Sequence, residues 1–305
     1  MQTVINGYDI TSCGLCPRKC GSDRSVNIGI CGGGSMVRAA RSALHHWEEP
    51  CISGSRGSGT IFFSGCSLGC CFCQNAAISQ ENFGTLISSE RLAECILKLQ
   101  EKGAHNINFV TGTHYAPWIT EAVHMAEPQL NIPVVWNSSG YETPETLRML
   151  DGIADIYLPD FKYLYPETAK EYSGAEDYPE IAEKAIQEMY RQTGKPVINA
   201  DGIMERGLIV RHLVLPGHRH ESMALLERLS KFLPADGFFL SLMGQYTPPA
   251  ESLPYRNLNR RLTTMEYQSV LKRAQELGLQ GFSQELSSAQ PQFTPSFDLE
   301  GIINE

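Results

Sequence analysis

The chain has no apolar run approaching the roughly 20 residues that a helix needs to cross a bilayer. It also lacks a dense cluster of lysine and arginine. Its 25 basic residues against 34 acidic ones leave a formal net charge of −9. Nucleic acid is therefore disfavoured as the main partner, and no membrane partner is expected. The opening residues, Met1-Gln2-Thr3-Val4-Ile5-Asn6-Gly7-Tyr8, carry neither a basic n-region nor a long apolar h-region. The expectation is a cytoplasmic chain whose cysteines are reduced.

What the sequence does have is cysteine, ten in 305 residues. In a reducing compartment that abundance points to metal rather than to disulfides. Hydrophobic residues make up 42% of the chain, enough for a full core in one large domain or a domain plus a small module.

Seven of the cysteines fall into two sets. Cys66, Cys70 and Cys73 form C-x3-C-x2-C directly after the apolar run Thr60-Ile61-Phe62-Phe63, which reads as a buried strand. Three thiolates so closely spaced suit three irons of a 4Fe–4S cluster, with the fourth iron open to a small molecule. A disulfide or zinc knuckle is the competing reading, but three ligands without a nearby fourth suit an open cluster better than a closed zinc site. Cys71 interrupts the pattern and reads as a small packed hydrophobe. The other set, Cys13-x2-Cys16-x3-Cys20-x10-Cys31, offers four thiolates and suits either a structural zinc or a second iron–sulfur cluster. Cys51 and Cys95 belong to neither set and read as core.

From residue 60 onward, apolar runs alternate with amphipathic stretches. The pattern predicts strands at 60–64, 106–111, 132–137, 154–159, 208–215 and 237–243. It predicts helices at 88–102, 117–127, 143–151, 178–193, 220–232 and 263–277. Such alternation implies an α/β fold with a parallel sheet, either a barrel or a doubly wound sheet. Residues 1–57 lack this rhythm and read as a small Cys-rich metal-binding module. Residues 58–285 read as the main domain. Residues 286–305 read as a polar tail with isolated aromatics at Phe293 and Phe297, wandering over the surface rather than packing near the site.

The segment from Ser64 to Asn75, with Gly65 and Gly69 to let it curl and Phe72 ahead of the last cysteine, resembles the cluster loop of radical SAM (S-adenosylmethionine) enzymes. More narrowly, it resembles the branch similar to the pyruvate formate-lyase activating enzyme. The N-terminal cysteines and His46-Trp47-Glu48-Glu49-Pro50 resemble the uncharacterised subfamily of that branch. The resemblance implies a partial (β/α)6 TIM-like barrel of the radical SAM type. It implies a 4Fe–4S cluster on Cys66, Cys70 and Cys73 and SAM on the open iron. Reductive cleavage of SAM would give a 5′-deoxyadenosyl radical that abstracts hydrogen from a substrate. It further implies an electron donor of flavodoxin or ferredoxin type. The substrate would be a glycyl residue of a partner enzyme, with a peptide or small molecule equally allowed.

The strand ends supply candidate SAM contacts, because loops after parallel strands share one face. Phe72 inherits a place near the adenine from the resemblance. Thr111, Gly112 and Thr113 stand where activating enzymes usually carry Gly-Gly-Glu, so a hydroxyl or backbone carbonyl replaces the missing carboxylate. His114 reads equally as a proton donor or a structural histidine. Asn137 and Ser138 suit a ribose or carboxylate, or simple turn chemistry. Asp160 and Lys162 share one face of a strand end. They resemble the Asp-x-Lys segment of the family, which would orient a zwitterion, and the alternative is an ion pair closing the barrel. Arg211 matches a carboxylate as a fork, or a structural salt bridge. Gln245 and Tyr246 sit at the rim of the last strand. Two readings from other classes remain: a non-catalytic iron–sulfur protein that relays electrons or senses oxygen, and a zinc-binding interaction protein.

Overall fold

The computed structural model describes residues 3–284 and 295–303. A two-stranded antiparallel ribbon, β1 (Val4–Ile5) with β2 (Tyr8–Asp9), opens the chain. The main sheet contains β3 (Val37–His45), β4 (Ser58–Phe63), β5 (Thr85–Ile87), β6 (Ile107–Val110), β7 (Val134–Ser138) and β8 (Ile156–Pro159). It continues with β9 (Val197–Ile198), β10 (Met204–Leu213), β11 (Phe239–Met243) and β12 (Gly281–Ser283). The strand order is β12-β11-β10-β8-β7-β6-β4-β3-β5, with β9 paired to β10. From β4 to β12 along this order, neighbours run parallel. β3 joins β4 antiparallel, and β5 joins β3 antiparallel. The result is an α/β fold with a mixed sheet, consistent with a partial barrel.

Helices connect the parallel strands: α3 (Ser89–Glu101), α4 (Ala116–Ala126), α5 (Pro144–Met149), α6 (Pro166–Ser173), α7 (Tyr178–Thr193), α8 (Arg219–Phe232) and α9 (Thr264–Glu276). Two short ones precede them, α1 (Pro50–Ser53) and α2 (Ala76–Ser79). The six strands and six helices expected from periodicity are all present, with ends shifted by a few residues. Local chemistry sets several helix starts. Thr263 caps α9 with Glu266 as its reciprocal partner, and Ser88 accepts the Arg91 N–H at the start of α3.

Alternation along the strands divides the core in two. Ile61, Phe63, Ile107, Phe109, Val134, Trp136, Tyr157, Leu208 and Val210 pack under the helices. On the opposite face Val135, Ile156, Leu158 and Ile209 meet Cys51 and Ile52 of α1. The turn between β3 and β4 thus folds inward and fills the face that the helices leave bare. Asn106, just before β6, fastens it, its amide donating to the Ile52 carbonyl at 2.8 Å.

Two expectations are corrected. The sheet is not wholly parallel, because Val37–His45, read as irregular, is a strand of the main sheet. Its run Val-Arg-Ala-Ala-Arg-Ser-Ala-Leu-His is rich in alanine, so β propensity left little signal. The tail, where described, does not wander. The Leu299 N–H donates to the Ala40 carbonyl, and the Ser42 N–H to the Glu300 carbonyl. Arg41 pairs with Asp298 and Glu300. Phe297 packs edge-on against Phe62, with centroids 5.5 Å apart, and Ile302 is buried. Phe293 lies outside the described residues.

The buried imidazole of His114 and the half-buried one of His45 make the fold acid-sensitive. Burial drives His114 down to about 3 and His45 down to about 4. Both are neutral near pH 7 in either state. Below about 6.5 the unfolded chain takes up these protons and the folded chain does not, so stability falls. Between pH 6.5 and 5 the loss from His114 is about 2 kcal/mol, at about 1.36 kcal/mol per pH unit. Urea unfolding at pH 7 and pH 5 should show the combined loss from both histidines, and His114→Gln should remove about half of it.

Candidate functional site

The loop after β4 curls at Gly65 and Gly69, both at positive φ. A side chain at Gly65 would strike the Cys31 carbonyl, 2.1 Å from an added Cβ. That closeness is used, because the Cys66 N–H donates to the Cys31 carbonyl at 3.0 Å. The N-terminal segment is therefore stitched to the loop. Arg18 adds a clamp. Its guanidinium donates to the Ser67 and Leu68 carbonyls of the loop and to the Ser173 and Gly174 carbonyls ending α6. Arg24, fully buried, donates to the Gly34 and His114 carbonyls and lies over the Trp118 ring.

Each cysteine of the loop has a donor at its sulfur. Leu68 N–H reaches Cys66 at 3.4 Å, Ser173 Oγ reaches Cys70 at 3.1 Å, and Ser79 Oγ reaches Cys73 at 3.2 Å. Burial, together with the neighbouring thiols Cys70 and Cys73, raises Cys66 to about 11. Burial also raises Cys70, against the pull of Lys162. Three neighbouring thiols that each carry a donor at the sulfur form a donor set that fits a cationic cluster. They are not drawn together as ligands of one ion. Among the described residues no group of three or more His, Cys, Asp or Glu side chains is so arranged. A cubane takes one thiolate per iron, so its ligands stand farther apart than those of a single ion. Cys71 has partners of its own. Its N–H bonds the Tyr172 carbonyl, and its thiol lies near Tyr172 and Tyr246.

The N-terminal cysteines are buried except for half-buried Cys20. Cys20 and Cys31 flank Gly29, their sulfurs 3.6 and 3.4 Å from where its Cβ would lie. Burial lifts Cys16 to about 11, and the other three thiols add to the rise.

At the strand ends, charge is concentrated on the face bearing α1. Burial pushes Asp160 up, but Arg211 and Lys162 outweigh it and hold its carboxyl below the usual range. Its oxygens lie 2.5 Å from Lys162 Nζ and 3.0 Å from Arg211 Nε. Arg211 also donates to Asn137 Oδ1 at 2.6 Å and pairs with Glu48 at 3.5 Å. Glu48 in turn accepts from the Asn108 and Asn137 amides. Arg211 is thus engaged on all sides, and Asp160, Lys162 and Asn137 belong to its network. Thr113 and Ser138 turn elsewhere, donating to the buried carboxylate of Glu142 at 3.0 and 2.7 Å. Gly112 has no room for a Cβ against Ile119 and Trp136. Phe72 is buried edge-on to Tyr246 at 6.0 Å, and the Tyr246 hydroxyl donates to the Leu258 carbonyl. The Gln245 carbonyl accepts from Gln74, which follows Cys73. His114 is structural, its Nε2 bonded to the Ser64 carbonyl at 2.8 Å.

The sequence reading assigned no role to Glu48, Glu49, Asn108 or Glu142. The first two stood inside a motif already noted, and their adjacency in an otherwise apolar neighbourhood was the available signal. For Asn108 and Glu142 there was none.

Thr111 is the strained position. A β-branched residue at φ 60° is an outlier, and such strain costs of order 1–3 kcal/mol. Thr111→Gly should raise unfolding stability by about 1 kcal/mol, measured in urea. Asp160→Asn should do the opposite, costing about 3–5 kcal/mol by leaving buried cations uncompensated.

The model of the radical SAM superfamily matches residues 60–229. The chain is 30% identical over 277 residues to an uncharacterized protein of Methanocaldococcus jannaschii, covering 88% of this chain and 75% of that protein. SuiB of Streptococcus suis, solved with precursor peptide SuiA, is similar over 74% of this chain and 48% of its own. Its TM-score is 0.51 at 12% identity. A domain of a pyruvate-formate lyase-activating enzyme from Bacteroides vulgatus is similar over 56% of this chain and 92% of its own, with a TM-score of 0.41 at 14% identity. At these identities the solved structures speak to fold alone, and this chain spans about half of SuiB. Because the family model covers more than half of the chain, the chain belongs to the radical SAM superfamily and carries that superfamily's catalytic domain.

Proposed function

We propose that Cys66, Cys70 and Cys73 hold a 4Fe–4S cluster with SAM at its open iron, at the rim of a partial (β/α)6 barrel. When bound, this pair supplies reductive cleavage of SAM to a 5′-deoxyadenosyl radical that abstracts hydrogen from a substrate. The observation that carries the reading is the three neighbouring thiols on one loop, each with a hydrogen-bond donor at its sulfur. Lys162 faces Cys70 and, with Asp160, offers a charge of each sign to a zwitterion. Phe72 and Tyr246 form an aromatic wall beside the loop, the setting for an adenine. The Gln74–Gln245 bond brings the rim after β11 to the cysteines.

Thr111, through its strained backbone, and Gly112, through its bare Cα, would present carbonyl and amide groups to the SAM amino acid moiety. Thr113, Asn137, Ser138 and Arg211 act behind them as positioning residues. Cys13, Cys16, Cys20 and Cys31 hold a zinc or a second iron–sulfur cluster in a module spanning residues 1–57, whose β3 strand is shared with the main sheet. A reductant of flavodoxin or ferredoxin type supplies the electron. A glycyl residue of a partner enzyme is the finer substrate reading that the family resemblance suggests.

Protein reconstituted anaerobically with iron and sulfide, then given SAM and a strong reductant, should yield 5′-deoxyadenosine. Alanine at Cys66, Cys70 or Cys73 should lower that yield at least a hundredfold, while Cys71→Ala keeps most of it. Equal loss at Cys71 would overturn the ligand assignment. No product from the intact protein, with its reduced spectrum unmoved by SAM, would overturn the function.

A further inference from the structure

A cavity of about 450 Å³ opens beside the charge network, between the turn after β3 and the β11–β12 side of the sheet. One wall is the inward turn after β3, with His46, Trp47, Glu48 and Glu49. The other is β11 and the end of β12, with Ser241, Gln245 and Gln284. Its size suits a small molecule or one long side chain.

Its polar groups are unbalanced. Glu48, Glu49 and Arg211 line it, and the network behind Arg211 adds one carboxylate, Asp160, and one cation, Lys162. Asp160 takes Lys162 and the Arg211 Nε, while Glu48 and Asn137 take the other guanidinium nitrogens. Glu49 stands outside these ion pairs, with Arg211 and Ser241 bearing on it only in part. It is only 8% exposed, and among the described residues its Oε2 accepts no hydrogen bond. The Oε1 of Gln284, lining the same cavity, is buried and unpartnered as well. Buried acceptors without donors are costly, about 1–3 kcal/mol each and more when charged. Burial also pushes Glu49 up, and Arg211 only partly opposes it. Trp47, half exposed, stands on the same wall, and an indole face attracts cations. Gln245 joins the cavity to the cysteine loop through Gln74.

We propose that this cavity is the substrate subsite and that it takes a cationic nitrogen with N–H donors, an alkylammonium or guanidinium, seated on Glu49. The assignment as substrate site rests on the radical SAM reading, since it places the bound group beside the cluster loop. The cation is either a free metabolite or the side chain of a lysine or arginine in a peptide. Both present the same chemistry to Glu49.

Calorimetric titration of the full chain tests it. n-Butylammonium should bind saturably, and n-butanol at the same concentrations should not. Glu49→Gln, which keeps shape and removes charge, should weaken the ammonium at least tenfold while keeping the wild-type melting temperature within a few degrees. If that variant unfolds, Ser241→Val, aimed at the same carboxylate's neighbour, should weaken binding several-fold instead. A peptide N-acetyl-Gly-Lys-Gly-amide binding more tightly than n-butylammonium assigns a peptide source, and the reverse order a metabolite. Equal binding of ammonium and alcohol, no saturation with any cation, or unchanged affinity in Glu49→Gln would overturn the proposal. Displacement of n-butylammonium by SAM in a variant with alanine at Cys66, Cys70 and Cys73 would overturn the substrate assignment. Cation binding that persists when the intact protein yields no 5′-deoxyadenosine would leave the Glu49 site standing and count against the radical reading alone.

Discussion

One buried guanidinium holds the interior together. Arg211 on β10 reaches Asp160 at the end of β8, Asn137 at the end of β7 and Glu48 on the inward turn. These groups come from four separate stretches of chain; Asn137 is buried and the three charged side chains are largely so. A charge so placed is tolerable only when its partners are all present. The network therefore couples three requirements. The parallel strands must end in register, the turn after β3 must fold inward, and Lys162 must face the cysteine loop.

The cysteine loop depends on a second constraint, from the opposite side. Its backbone curls too tightly to satisfy itself, and the N-terminal segment supplies what it lacks. The Cys31 carbonyl takes the Cys66 N–H, and Arg18 takes the Ser67 and Leu68 carbonyls. The same arginine binds the carbonyls at the end of α6, where a helix leaves acceptors unpaired. Hence the N-terminal cysteines and the loop cysteines are mechanically linked. The strain at Thr111 belongs to the same neighbourhood, since its N–H is held by the Asn137 carbonyl of the adjacent strand.

Much of the framework was legible from pattern. The strands at 58–63, 107–110, 134–138 and 156–159 are short apolar runs bounded by turn residues, and the helices between them show a clean apolar stripe. β3 escaped because alanine and arginine dominate it. The tail escaped because its anchoring is mostly backbone to backbone, as in Ser42 to Glu300, and such bonds leave no mark on residue type. At the site, Asp160 and Lys162 were visible as a same-face pair. That Asp160 also takes Arg211 was not, because 51 residues separate them.

The cluster motif and the strand before it were decided by sequence alone. The spacing of three thiols on one loop is a covalent, local fact, and so is the alternation that buries Phe63 and Phe109 under the helices. Tertiary structure decided which carboxylates are spent and which is left. Glu48 and Glu49 are neighbours with identical chemistry, yet one meets Arg211 and two asparagines, while the other faces a cavity with an oxygen unclaimed. Only the inward fold of the turn against distant strands separates them, because pairing of buried charge depends on what stands within a few ångströms and not on what is next in the chain.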